Sequence, residues 1–519
     1  MTQRRAAILA TAVLLLASGC ATTSPSVAPQ SHAAAVPTAT LVTTPSPEPS
    51  AAPATLKLMD FNIEYGGETI DFAKIVEAVK LADPDVVALE EASGNTRKLA
   101  DALGWPYASV RSQLVSKLPI IDPPEANGRY AYVEIRPGEV VAVSNVHLPS
   151  DPYGPSELIA GKTVDDILAL EAATRMPAIQ ERLDVLPALV AQGIPTFLTG
   201  DFNSPSHLDW TTATVGLRPH VTAPIAWPVS TAIEAAGFRD TYRELHPDPV
   251  ADPGLTWWAG RPLVDGYPDP SEPQDRIDII YAAGPSTTDD LKIVGEKGGP
   301  QVDLAVDPWG TDHRAVVGTY TVTPAMPAAY VALDQRLITV GDPLVVRYQG
   351  AAVGVGTLPV ERIGPDGTRT PLPYPAVPTA NAGVAEVPTV GLEPGDYEIS
   401  LVNGATTVST AAFSLAAVGA TPTLTLDAAS YRAGDPMTVS WRDAPGARWD
   451  WIGVYPRGGD PLVDAYVYYV YTDQSVAGQV VIDESGEGDW PLPPGDYDAH
   501  YLLDDGYVSL ASAPFTVTK

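Results

Sequence analysis

The sequence predicts an α/β domain followed by two all-β modules. Between Leu56 and Thr323, apolar strand-like runs alternate with helix-like stretches, which is typical of α/β layer structures. After Thr323 the helical periodicity disappears, and the segment at 334–349 is echoed at 427–442. We therefore expect an α/β domain at 55–323 and two β-sandwich modules at 326–417 and 420–519.

The α/β domain opens with a strand. LKLMDFNIEY, from Leu56, alternates apolar and polar residues as a half-buried strand does. Asp71–Leu81 carries an apolar stripe at helical spacing, and DVVALEE follows as a short buried strand. The same order returns with a predicted helix from Ala169 to Ala191 and a strand from Thr196 to Thr199.

The two modules are copies of one unit. DQRLITVGDPLVVRYQ in the first is echoed by DAASYRAGDPMTVSWR in the second, and EPGDYEISL is echoed by PPGDYDAHY. Each copy has about ninety to a hundred residues of short strands and tight turns, which is the immunoglobulin-like size range. Neither copy contains a cysteine, so both cores depend on packing alone.

The N-terminus has the pattern of a processing signal. Arg4 and Arg5 precede an apolar run that is too short to span a bilayer, and Ala17-Ser18-Gly19-Cys20 resembles a bacterial lipobox. We expect a signal peptide at 1–20, lipidation of Cys20, and a flexible tether rich in Pro, Ser, Thr and Ala at 21–54. The chain would then be a bacterial cell-surface lipoprotein or a secreted protein, with the membrane as a partner through Cys20. The export route stays open.

Charge disfavours nucleic acid as the preferred ligand. The chain has 63 acidic against 31 basic residues and a formal net charge of −32. Binding a duplex depends on Lys and Arg neutralising successive phosphates, and no basic cluster of that kind is present in the sequence. Divalent cations can bridge an acidic protein and a polyanion, so nucleic acid is disfavoured without being excluded.

Polar and ionisable residues recur at the predicted ends of the apolar strands. In α/β folds, sites form at the carboxyl ends of strands. The residues placed this way are Asn62, Glu90, Glu91, Asn145, His147, Asp201, Asn203, Asp278, Asp312 and His313.

This ordered series resembles the endonuclease/exonuclease/phosphatase (DNase I-like) superfamily. The resemblance rests on PDVVALEE, VSNVHL, GDFNSP and TDHRAV and covers about half the chain, Leu56 to Val322. It implies a four-layer α/β sandwich and a phosphoesterase that uses Mg²⁺ or Mn²⁺. Carboxylate oxygens are the ligands that these cations prefer.

The resemblance also implies roles for individual residues. Glu91, Asn62 and Asp312 would hold the metal. Glu90 stands where the family has glutamine, and it would either tighten metal binding or lie behind the metal ligands without contacting the cation. His313 would take a proton from the attacking water, since histidine titrates near neutrality, and Asp278 would orient it. The remaining matches are His147, which would stabilise charge on the phosphoryl oxygen, Asp201 and Asn203, whose roles stay open, and Asp240, a supporting or structural position.

Several substrates and one different function class remain open. A phospholipid headgroup, a small phosphate ester and nucleic acid are the candidate substrates. The alternative to an enzyme is a catalytically inactive surface binding or adhesion lipoprotein. The loop after His147 and Trp257, Trp258 and Trp309 either line a pocket or are simply buried. The aromatic stretch of the second module, ARWDWIGVYP followed by YVYYVYTD, either binds a surface ligand or is half core and half surface.

Overall fold

The computed structural model describes residues 42–45, 52–264, 266–269, 271–364, 366–373, 377–472 and 475–519. The predicted signal peptide at 1–20, with its Cys20, and most of the predicted tether lie outside the described residues. Among the helices of the described part, none is long and apolar enough to cross a membrane.

Two β-sheets face each other in the first half of the chain. The first sheet has seven strands, in the spatial order Leu304–Val306, Ser286–Glu296, Ala315–Val322, Ala54–Asn62, Val86–Glu90, Leu114–Ser116 and Tyr107–Ser109. The second has six, in the order Arg239–Asp240, Asp278–Ala283, Thr196–Asp201, Glu139–His147, Ala131–Arg136 and Ile120–Ile121.

Helices cover the outer face of each sheet. Phe72–Ala82 and Thr96–Leu103 share an apolar core with the seven-stranded sheet. Arg175–Leu183, Leu186–Ala191 and Pro228–Ala235 do the same for the six-stranded sheet. The order helix, sheet, sheet, helix confirms the predicted four-layer α/β sandwich. The other helices of the domain are Glu64–Gly67, Gly154–Ile159, Val164–Ala173, Thr241–Leu245 and a 3₁₀ turn at Pro124–Ala126.

One predicted helix is confirmed and one is wrong. The helix predicted at Asp71–Leu81 spans Phe72–Ala82, with the Asp71 carboxylate accepting a hydrogen bond from the Ala73 backbone N–H as an N-cap. The single helix predicted from Ala169 to Ala191 is instead three helices, Val164–Ala173, Arg175–Leu183 and Leu186–Ala191. Pro177 and Pro187 lie in the first turns of the second and third, because proline lacks the N–H that a helix interior requires.

Strand alternation carries polar residues into the space between the sheets. Leu58 packs between the sheets, whereas Met59 and Phe61 pack under the helices. Because side chains alternate faces along a strand, Asp60 and Asn62 continue the inner face that Leu58 occupies. The same alternation places further polar side chains on the inner faces, from Glu90, Asn145, His147, Asp201 and Asp278. The apolar core between the sheets therefore ends in a polar layer.

The second half of the chain is built from β-sheets. In the first module, one sheet contains Ala382–Val387, Leu344–Gln349 and Tyr330–Leu333, and the other contains Leu337–Thr339, Thr406–Ala416, Gly395–Asn403, Val360–Ile363, Arg369–Pro371 and Gly356–Thr357. In the second, one sheet contains Thr423–Leu426, Met437–Arg442 and Gly478–Ile482, and the other contains Ser430–Arg432, Ser509–Thr518, Gly495–Leu502, Trp451–Pro456, Tyr468–Tyr471 and Glu487–Gly488.

The sequence repeat corresponds to a repeat of structure. Gly395–Asn403 and Gly495–Leu502 each pair with the last long strand of their module, and each pairing carries a register shift at the same place in the repeat. The hydroxyls of Tyr397 and Tyr497 each donate to a backbone carbonyl four residues earlier, at 2.7 Å and 2.8 Å. The modules are thus two copies of one β-rich unit; that this unit is immunoglobulin-like stays a prediction.

Part of the segment predicted to be a flexible tether is paired. Val42–Pro45 forms an antiparallel edge strand against Ala382–Val387 of the first module. Val42, Thr43 and Thr44 are β-branched, which suits a strand. This short strand departs from the expectation of an unstructured tether.

A buried ion-pair network supports the start of the strand Asp278–Ala283. The Arg276 guanidinium donates to Asp209 at 3.0 Å and 3.1 Å and to Asp240 at 3.0 Å and 2.6 Å, and Arg243 donates to Asp209 at 2.6 Å. All four side chains are buried. Asp240 therefore has the structural role that the resemblance allowed.

We expect Arg276→Met to lower the free energy of unfolding by about 3–5 kcal/mol, because it leaves Asp209 and Asp240 buried without their main cation. Urea denaturation followed by tryptophan fluorescence measures the loss. The control is Arg369→Met, which removes an arginine paired with Glu361 and Glu398 at the surface of the first module. It should cost at most about 1 kcal/mol, and equal losses in the two variants would contradict the supporting role of the network.

Candidate active site

An ion pair between His313 and Asp278 lies at the centre of the polar layer. His313 Nδ1 lies 3.0 Å from both carboxylate oxygens of Asp278, which leaves Nε2 directed away from that partner. Both side chains are buried. Burial lowers the pKa of His313, but the carboxylates of Asp278, Asp312 and Asp201 outweigh it and raise that pKa well above its ordinary value.

Asp201 connects most of the predicted site residues. Its Oδ2 lies 3.7 Å from His313 Nε2 and 3.5 Å from His147 Nε2, and it accepts hydrogen bonds from Asn62 Nδ2 at 3.1 Å and Asn203 Nδ2 at 3.2 Å. Burial raises the pKa of Asp201, while His313 and His147 oppose the shift. The His147 side chain is a third exposed, so this part of the site faces solvent.

Glu91 lies beside this cluster in a loop rather than on a strand. Its carboxylate accepts a hydrogen bond from the Tyr65 backbone N–H at 3.2 Å and a long one from Asn62 Nδ2 at 3.5 Å. Both contacts leave the oxygens room for a further partner. The backbone of Glu91 has a φ of 53°, a left-handed conformation that non-glycine residues rarely adopt.

Asp312 is held by aromatic side chains. Its Oδ2 accepts hydrogen bonds from the Tyr267 hydroxyl at 3.0 Å and from Trp257 Nε1 at 3.4 Å, and its Oδ1 lies 4.0 Å from His313 Nε2. Glu64 accepts from the Asp312 backbone N–H at 3.1 Å and pairs with buried Arg261 at 2.6 Å. Burial and the neighbouring Asp312 raise the pKa of Glu64 to about 7.

Two further carboxylates, those of Asp60 and Glu90, lie deeper between the sheets. Both side chains are fully buried, and among the described residues no basic side chain is hydrogen-bonded to any of their four oxygens. Burial first, and then nearby carboxylates including Asp278 and Asp201, raise the pKa values of both well above the ordinary range. The site therefore holds more carboxyl groups than its side-chain cations could balance if all of them were ionised.

Two groups of side chains have ligand atoms close enough to share a cation. One is Asp201, Asp278 and His313, and the other is Asp60, Glu90 and Asp278; within each group the ligand atoms lie within 4.8 Å of one another. The contacts described above bring all eight predicted site residues together: Asn62, Glu91, His147, Asp201, Asn203, Asp278, Asp312 and His313.

The structure corrects how these residues reach the same edge. From the sequence, all of them are predicted at the carboxyl ends of strands. In the structure, Asp278 begins the strand Asp278–Ala283, and His313 precedes Ala315–Val322. Both strands run antiparallel to a neighbour that ends in the site. Asp278 pairs directly with Asp201, and Val316 pairs with Asp60. The start of one strand thus meets the end of the other.

Three features of the site were not predicted from the sequence. Asp60 lies two residues before Asn62, so the strand period alone assigns it to the same face. The Glu64–Arg261 pair joins residues 197 positions apart, and no local pattern connects them. The hydrogen bond from Tyr267 to Asp312 joins residues 45 positions apart and is likewise not visible in a local pattern.

Of the three tryptophans predicted to line a pocket, Trp257 packs beside the His313 ring, whereas Trp309 and Trp258 each donate a hydrogen bond to a backbone carbonyl. The Trp257 ring lies 6.3 Å from that of His313 and packs edge-on against Tyr153, so the loop after His147 does reach the site. Trp309 is buried against Phe61, and its Nε1 donates to the His313 carbonyl at 2.7 Å. Trp258 Nε1 donates to the Glu272 carbonyl instead.

The fold and the site together define a four-layer α/β protein with an acidic, histidine-containing centre at one edge of two facing sheets. The endonuclease/exonuclease/phosphatase family model matches residues 61–313. An uncharacterized protein of Caenorhabditis elegans is 32% identical over 291 residues, which cover 51% of this chain and 91% of that protein. The chain belongs to the endonuclease/exonuclease/phosphatase family through this domain.

Several solved structures resemble this chain, with low TM-scores and low sequence identity. TDP2 of D. rerio in complex with a single-strand DNA product is 17% identical, covers 51% of this chain and 99% of its own, and has a TM-score of 0.31. A family member from Bacteroides thetaiotaomicron is 14% identical, with 52% and 99% covered and a TM-score of 0.31. A mannosyl-6-phosphatase from the same organism is 14% identical, with 51% and 98% covered and a TM-score of 0.29. Similarities this low support no inference about function.

We expect Glu90→Gln to change the pH dependence of stability in EDTA. Because the folded pKa of Glu90 is raised above its unfolded value of about 4.3, its contribution is fully present below that pH and is lost as pH rises through the folded pKa. The amide has no such proton to lose, so the variant should be more stable than wild type by about 1–3 kcal/mol at pH 8.

Urea unfolding at several pH values between 5 and 8 measures this difference. Glu77→Gln is the matched control, since Glu77 is an exposed helix residue paired with Lys74, and it should follow the wild-type curve. Parallel curves for wild type and Glu90→Gln would show that Glu90 is not protonated on folding.

Proposed function

We propose that this chain is a metal-dependent phosphoesterase that hydrolyses phosphate mono- or diesters by direct attack of water. The observation that carries the proposal is the His313–Asp278 pair, whose free Nε2 faces the Asp201 carboxylate within a cluster that also contains Asn62, Glu91 and His147. The family match at 61–313 supports the reaction class.

The residues fit a divalent cation. Glu91, Asn62 and Asp312 would hold Mg²⁺ or Mn²⁺, and all three offer the oxygen ligands that these ions prefer. The buried carboxyl groups of Asp60 and Glu90 lie behind the site, and a nearby cation would favour their ionised form. A bound cation would supply positive charge. That charge would neutralise charge on the phosphate and would lower the pKa of His313, which the surrounding carboxylates raise.

The side chains of the cluster divide the proton and charge handling. Asp278 accepts from His313 Nδ1 and so fixes the ring with Nε2 free to take a proton from water. His147, whose side chain is a third exposed, is placed to donate to a phosphoryl oxygen. Asp201 holds Asn62, Asn203 and His147 in position, and its side chain is the nearest carboxylate for orienting the water.

The acidic surface favours substrates with little charge beyond the ester itself. With a formal net charge of −32, the chain repels polyanions, so a phospholipid headgroup or a small phosphate ester is favoured over nucleic acid.

We also propose that the enzyme acts at the bacterial cell surface, held by a lipid on Cys20. The support is the sequence Ala17-Ser18-Gly19-Cys20 after an apolar run. Cys20→Ser should move the protein from the membrane fraction to the soluble fraction of the producing bacterium, as measured by detergent partitioning and by mass spectrometry of the N-terminal peptide. An unmodified Cys20 in mature protein would refute the anchor.

We expect His313→Gln to lower kcat/KM by about 10²- to 10⁴-fold, because it replaces the proton acceptor with an uncharged amide that is not a base. Phosphate or nitrophenol release from nitrophenyl mono- and diesters, with Mg²⁺, Mn²⁺ or EDTA, measures the loss. Plasmid DNA, phospholipid dispersions and small phosphate esters then compare the substrate classes.

The matched control is His246→Gln, since His246 stacks on Tyr242 away from the site. It should retain wild-type turnover. Wild-type activity in His313→Gln would refute the assigned base, and a wild-type protein without metal-dependent turnover on the whole panel would favour the binding-protein alternative.

A further inference from the structure

The second module contacts the loop that carries Glu91. We call residues 91–95 the Glu91 loop and residues 503–507, between the strands Gly495–Leu502 and Ser509–Thr518, the module turn. A methyl group added at Gly94 would lie 3.1 Å from Leu462 Cδ2 and 3.3 Å from the Tyr507 backbone nitrogen. A methyl at Gly506 would lie 2.7 Å from Val110 Cγ1 and 3.9 Å from Gly94 Cα. The module turn therefore packs directly against the Glu91 loop.

The Glu91 loop has a strained backbone that its surroundings must hold. Glu91, Ser93 and Gly94 have φ values of 53°, 47° and 85°, so three of five residues are left-handed. Non-glycine residues keep that conformation only where neighbouring structure imposes it. On one side, Gly66 donates its N–H to the Glu91 carbonyl at 2.7 Å, and Asn95 Nδ2 donates to the Gly66 carbonyl at 2.8 Å. The module turn supplies the other side.

The module turn is itself rigidly built. The Asp504 N–H donates to Asp450 Oδ1 at 2.8 Å, and the Asp505 N–H donates to the Trp449 carbonyl at 2.7 Å. Trp451 Nε1 donates to the Gly506 carbonyl at 3.0 Å, and the Trp451 ring packs edge-on against Tyr507. Part of the aromatic stretch of this module thus supports the turn from within.

Arg111 attaches the module turn to the α/β domain. Its guanidinium forms an ion pair with Asp505 and lies 4.4 Å from the centre of the Trp449 ring. The same short segment reaches the strand before the Glu91 loop, because the Leu89 N–H donates to the Gln113 carbonyl at 2.9 Å. A second contact joins Arg448 to Asn127 at 3.2 Å.

We propose that the second module is part of the active site: its module turn holds the Glu91 loop in the conformation that presents the Glu91 carboxylate to the cation. This rests on the proposed function in one respect, the assignment of Glu91 as a metal ligand. Residues 503–507 are positioning residues, since they act through Glu91 and contact neither substrate nor cation.

The test is Arg111→Met in the full-length chain, together with Asp505→Asn and the double variant. Arg111→Met keeps the apolar stem and removes the charge, and asparagine tolerates the left-handed φ of 64° at position 505. We expect Mn²⁺ binding, measured by calorimetry, to weaken about tenfold in each single variant, the lower end of the effect of losing support for a metal ligand. The double variant should be little worse than the singles, because both singles already remove the shared Arg111–Asp505 ion pair.

Hydrogen–deuterium exchange without metal provides the second measurement. The backbone amides of 91–95 should exchange at least several-fold faster in the variants than in wild type. The matched control is Arg347→Met. It breaks a contact between the first module and the α/β domain, the ion pair with Glu134 at 3.0 Å, and it lies outside both loops. It should change neither Mn²⁺ affinity nor exchange at 91–95.

Each result decides the proposal. Unchanged exchange at 91–95 in Arg111→Met and Asp505→Asn overturns it, whatever the metal data show. Faster exchange with unchanged Mn²⁺ affinity also overturns it, since the loop would then move without affecting its ligand. Faster exchange in a protein whose wild type binds no Mn²⁺ refutes the metal assignment of the proposed function and removes the active-site role of the turn with it.

Discussion

The ion pair between His313 and Asp278 is the interaction on which the site depends. Carboxylates from Asp60, Glu90, Asp201, Asp278 and Asp312 lie near this single buried imidazole. Burying a carboxylate without a partner is costly, and His313 offsets that cost for Asp278 and in part for Asp201. Asp60 and Glu90 have no such partner. Protons or a cation must therefore balance the surplus, which couples metal binding to the stability of the fold.

Strand direction explains how distant residues come to share this pair. Asp201 ends one strand and Asp278 begins its antiparallel neighbour, so the two are paired directly in the sheet. Ala315–Val322, which follows His313, runs antiparallel to Ala54–Asn62 in the opposite sheet. The site thus lies where two facing sheets each present the end of one strand and the start of another. The inner apolar core stops at this edge and gives way to polar side chains.

Local sequence patterns predicted the elements that are determined within short segments of the chain. The helix Phe72–Ala82, the strand entering Asn62, and the repeat of the two modules follow from spacing within short segments. The long helix at 169–191 failed because prolines cut a periodic stretch into separate helices. The eight site residues could be chosen from motifs, but the surplus charge could not, since it arises from Asp60 and Glu90 meeting Asp278 across two sheets. The contact between Glu64 and Arg261 is likewise a product of tertiary structure.

The two modules show why a repeat does not imply equal roles. The turn after Gly495–Leu502 is two residues longer than the turn after Gly395–Asn403, because Tyr497 pairs with Phe515 whereas Tyr397 pairs with Phe413, and it carries Asp504 and Asp505. The first copy contacts the α/β domain through Arg347 and Tyr330, both of which bind Glu134. In the second copy, the acidic pair allows an ion pair with Arg111, and the adjacent Gly506 lets the backbone approach Val110 and Gly94. A longer, acidic turn in one copy thus separates a module that contacts the edge of the domain from one that reaches the loop of a candidate metal ligand.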